Sequence, residues 1–112
     1  MLRTENLPVN FTISLAAKAA IEKVRREHDA QFPDPAAVLW VGWGFYRPDA
    51  GPQFENVVIG FYGQSEMAKI SGGIQEASGV RLVFFITEEF HRKFEGRVLD
   101  FAEDQGFFLR TP

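Results

Sequence analysis

The 112-residue sequence contains no cysteine. That absence excludes disulfides, thiolate metal sites, cysteine-ligated clusters and cysteine nucleophiles together. It is compatible with a reducing compartment. Histidine is scarce as well: His28 and His91 are the two present, and they lack the i, i+4 spacing of a helical metal pair. Long apolar runs are missing. Nothing approaches the roughly 20 residues needed to span a bilayer, and MLRTENLPVNFTISL is broken by Glu5, Asn6 and Pro8, so it does not read as a signal peptide. There is no excess of positive charge either. Twelve Lys and Arg stand against fifteen Asp and Glu, a formal net charge of −3, which speaks against a general binder of the phosphate backbone. These absences predict a soluble cytoplasmic protein with no nucleic-acid and no membrane partner.

What is present is a globular composition, 46% hydrophobic and 24% charged, in a chain of a length that fits one domain over residues 1–112. Phenylalanine stands out at twelve residues, enough that some aromatic surface is expected outside the core.

The pattern predicts an α+β fold. A strand is expected over Val9–Ile13, and Ser14 is placed to cap a helix from Leu15 to about Asp29. The predicted buried face is Leu15, Ala16, Ala19, Ala20, Lys23 and Val24, flanked by Ala17 and Ile21. Lys18, Glu22, Arg25, Arg26 and Glu27 are expected to face water, with ion pairs along the helix. Pro33 and Pro35 must end it. AVLWVGW (37–43) and NVVIGFYG (56–63) read as strands of a hairpin with a long tip, VGWGFYRPDAGPQF spanning the turn. Residues 63–78 are the least readable, with a short strand at Ile74–Ala77 and a turn at Ser78-Gly79. VRLVFFI (80–86) is a strand, Thr87 caps the short helix EEFHRKF, and Gly96 ends it. RVLDFAED and GFFLR are two closing strands around Asp104-Gln105-Gly106. The total is one long helix, one short helix and about six strands.

The second half, GVRLVFFITEEFHRKFEGRVLDFAEDQGFFLRTP, resembles the C-terminal half of the HesB/IscA-like family, the A-type iron–sulfur carriers. The matching pieces are Gly79-Val80, Gly96, Leu99-Asp100-Phe101, Gly106-Phe107 and Thr111-Pro112. FTISLAAKAAIEKV resembles that family's opening strand and Ala-rich helix. The resemblance implies a HesB/IscA-like mixed β-sheet domain with one long N-terminal helix and one short helix. It also implies a departure. Family members hold a cluster with three cysteines, one in the loop after the strand that follows the long helix and a Cys-x-Cys beyond an Asn-Pro. The loop position falls in GWGFYRPDAGP, which has none, and Thr111 replaces the Asn. Carriage of a cluster by the family's ligand set is therefore not expected, and any link to iron–sulfur or sulfur metabolism rests on the resemblance alone.

The residues offer three readings. Trp43, Phe45, Tyr46 and Arg47 have the composition of a binding hot spot for an unidentified protein partner, set against the plainer reading that Trp43 and a neighbour pack inward. His91 with Glu88, Asp100 or Glu103 forms a conceivable oxygen–nitrogen iron site, although one His is fewer than such sites use. A Phe-rich face forming an apolar pocket for a small molecule is the third. Glu88-Glu89 and Glu103-Asp104 read as solvated caps and turns. The serines and Ser71-Gly72-Gly73 lack any nucleophile or phosphate-loop context. The expectation is a non-enzymatic protein-interaction domain with no catalytic residue, no cofactor and no metal. GFFLR at a sheet edge would favour a homodimer.

Overall fold

The computed structural model describes residues 5–46, 51–52, 54–69 and 73–112. Among them are eight strands and three helices in a mixed α+β arrangement with one long N-terminal helix. The expectation of two helices and about six strands falls short by the edge strand β1 (Glu5–Asn6) and by a short helix, α2 (Gln64–Met67).

The expected first strand is shorter than the pattern suggests. Only β2 (Thr12–Ile13) pairs in a sheet. The backbone before it is held by a side chain instead: Gln75 Oε1 accepts from Val9 N at 2.8 Å, and Gln75 Nε2 donates to Leu7 O at 2.7 Å. An amide side chain thus stands in for a neighbouring strand. Ser14 then caps α1 (Leu15–Gln31), its Oγ accepting from Ala17 N at 3.1 Å.

The buried face of α1 is shifted from the expected one: Ala20 lies on it as expected, joined by the two residues expected to flank it. Ala17, Ala20 and Ile21 are buried, while Leu15 is 82% exposed and Ala16, Ala19 and Lys23 lie on the surface. An alanine-rich helix marks its inner face weakly, because Ala is small enough to lie on either side. Ile21 fixes the phase. Arg25 also departs from expectation. It does pair with Glu22 at 3.6 Å, but its Nη1 donates to Ala36 O at 2.9 Å and its guanidinium lies over Phe61, 5.3 Å from the ring centre.

The strands β3 (Ala36–Tyr46) and β4 (Phe54–Gly63) form the expected antiparallel hairpin, in register from Val38↔Tyr62 to Tyr46↔Phe54. Both are longer than predicted: β3 runs on through Gly44 to Tyr46, and β4 begins at Phe54 rather than Asn56. A Cβ on Gly42 would lie 2.6 Å from Cζ2 of Trp40, and one on Gly44 2.5 Å from Cγ2 of Val58. These glycines admit close approach of large side chains on the sheet face.

The rest follows the pattern. β5 (Ile74–Ala77) and β6 (Val80–Ile86) are joined by Ser78 and Gly79, with φ of 51° and 82°. Positive φ at both positions matches the twist of a two-residue hairpin. β6 is central, parallel to β3 on one edge and antiparallel to β5 and β1 along the other. Thr87 caps α3 (Glu88–Phe94), and Gly96 follows with φ of 68°. β7 (Val98–Ala102) and β8 (Gly106–Arg110) make an antiparallel hairpin, with β2 parallel to β7 and β8 on the outer side, as GFFLR was expected to be. Between the layers lie Phe84, Phe94, Ile21, Leu39, Leu82 and Leu99, all fully buried. Among the described residues no helix is long and apolar enough to cross a membrane.

Candidate functional site

The far end of β3 carries the first two of the expected hot-spot residues. Trp43 and Phe45 lie in the strand, not in a loop. Tyr46 is its last backbone position, and Arg47 falls outside the described residues. Alternation along β3 puts Trp43 and Phe45 on one face, and both meet α3. The Phe45 ring stands edge-on to Phe90 at 5.8 Å, Phe90 stacks on Trp43 at 6.0 Å, and Trp43 meets Phe94 edge-on at 5.8 Å. The row runs from the core outward: Phe94 is fully buried, Trp43 and Phe90 are half-buried, and Phe45 is 59% exposed. The plainer reading of Trp43 therefore holds in part, since it packs inward while Phe45 does not.

Beside this row a cleft of about 360 Å³ opens where the start of β4, the segment after α3 and the end of β8 meet. Trp43, Glu55, Lys93 and Arg97 supply its polar groups, and Phe108 and Leu109 an apolar wall. Lys93 Nζ lies 3.1 Å from Glu55 Oε1 and 5.6 Å from the centre of the Trp43 ring. The Trp43 indole N–H is buried and closes no well-aligned hydrogen bond. It still lies near enough to Glu55 to be the leading cause holding that carboxyl below its ordinary value, with Lys93 second. Asn56 is committed to structure, its Nδ2 donating to Phe107 O at 3.1 Å and so tying β4 to β8.

Sequence reading missed Glu55, Lys93 and Arg97. Spread over more than forty positions, they share no local signal. Phe90 and Phe94 were legible in principle, as an i, i+4 aromatic pair on the short helix. A larger opening of about 590 Å³ lies between the exposed alanine face of α1 and Phe101, with Lys23, Glu27 and Glu103 around it. No buried polar group lacking a partner is found there.

The oxygen–nitrogen set is not brought together. His91 Nε2 is 2.7 Å from Pro8 O, its ring rests against Phe84, and its backbone O accepts from Asn10 Nδ2. This histidine anchors the N-terminal segment. Asp100 is engaged elsewhere, by Ser14 Oγ at 2.6 Å, by Arg110 Nε at 2.6 Å and by the Phe101 N–H at 2.8 Å. These donors hold its carboxyl at about 2, Ser14 foremost, then Arg110. Glu88 and Glu103 are exposed. Among the described residues no three His, Asp or Glu side chains gather where they could hold a metal ion. Set against family models, curated proteins and solved structures, the chain finds no match in any of the three.

Proposed function

We propose that this chain is a non-enzymatic protein-interaction domain of the cytoplasm, derived from a HesB/IscA-like carrier fold that no longer ligates a cluster. Two features support the derivation, and the absence of cysteine supports the loss of the cluster. A capped long helix precedes a long hairpin, and a short helix leads to a closing hairpin that pairs Phe101 with Phe107. The side-by-side placement of β4 and β8 also fits, because residues 55–56 share a cleft with 108–109 while 57–59 share another with 105–107. The end of β8 therefore runs toward the β3–β4 tip, where the family's ligands would converge.

The observation that carries the interaction reading is Phe45. A large ring 59% exposed at a strand end, and braced edge-on by Phe90, is a rigid apolar contact that needs little ordering on binding. The test compares two exposed phenylalanines. Proteins crosslinked to the wild type should be lost with Phe45→Ser and kept with Phe32→Ser, a ring 52% exposed near the end of α1. Identical sets of crosslinked proteins for the two variants would sink the reading.

A further inference from the structure

We draw no further inference here: the strongest candidate, the face of the five-stranded sheet opposite the core, which carries Trp40 and the 41% exposed Phe85, is an unpartnered apolar face, and nothing in the described residues shows what covers it.

Discussion

Asp100 and Glu55 are both strand carboxylates engaged by a cation, and they have opposite characters. Asp100 is closed. One oxygen accepts from Ser14 Oγ and from the Phe101 N–H, the other from Arg110. Those contacts fasten the start of α1 to β7 and β8, so the carboxylate is part of the architecture. Glu55 is open. It holds Lys93 at 3.1 Å, but the neighbouring indole N–H makes no well-aligned bond, and Arg97 stands across the cleft without an ion pair among the described residues. The comparison teaches that a carboxylate with donors on both oxygens ties separate elements into one frame, whereas one held by a single ion pair at a cleft does so less firmly.

The largest perturbation should erase the comparison. Phe94 is fully buried, meets Phe11, Phe84 and Trp43, and lies under the aromatic row beside the cleft. Phe94→Ala should cost about 3–5 kcal/mol, much of the stability of a domain this size. Chemical denaturation should show a strongly lowered midpoint. A midpoint near the wild type would mean that Phe94 is not a keystone. Ser14→Ala should act on the closed cluster alone. It removes the α1 cap and a donor to Asp100, at a cost of about 1 kcal/mol, read as a fall in Tm of roughly 4–8 °C. The Glu55 titration should not change, and a parallel shift would show the two clusters to be coupled.

Acid separates them next. Asp100 has a folded pKa of about 2 against an ordinary 3.8. Because the folded value is the lower one, its stabilisation is complete above the ordinary value and is lost as pH falls through about 2. Tm should therefore drop between about pH 4 and pH 2, and Asp100→Asn should flatten that part of the profile while lowering Tm at neutral pH. Asp29 and Asp34 are also held below their ordinary values, the first mainly by the Ala36 N–H and the second mainly by Ser65. They add a slope common to both proteins, so the difference between the profiles isolates Asp100. Parallel profiles would contradict the network described for it.

Much of this frame was legible because its signals are local. Ser14 and Thr87 cap the helices they precede, Gly96 follows the short helix with positive φ, and Ser78-Gly79 makes the turn expected of it. What was hidden depends on partners far along the chain. The helix α2 begins where Asp34 accepts from the N–H groups of Gln64 and Ser65 and from Ser65 Oγ. Gly63 leaves room there, because a Cβ would run into Asp34 Oδ2. Nothing within residues 63–78 announces an anchor thirty positions away. The phase of α1 was hidden for another reason: its alanines mark neither face. At the site, composition pointed to Trp43 and Phe45, but not to the Lys93, Glu55 and Arg97 that only the fold brings beside them.

The smallest expected effect on stability gives the sharpest view of the open cluster. Trp43→Phe keeps an aromatic ring between Phe90 and Phe94 and removes the indole N–H that lies beside Glu55. An aromatic ring stays in place in the row, so folding stability should change by no more than about 1 kcal/mol. One local reading should nevertheless move. The carboxyl carbon of Glu55 should titrate closer to the ordinary 4.5, because the leading cause of its depression is gone while Lys93 remains. A Glu55 titration left where it was would mean that the indole does not act on the carboxylate.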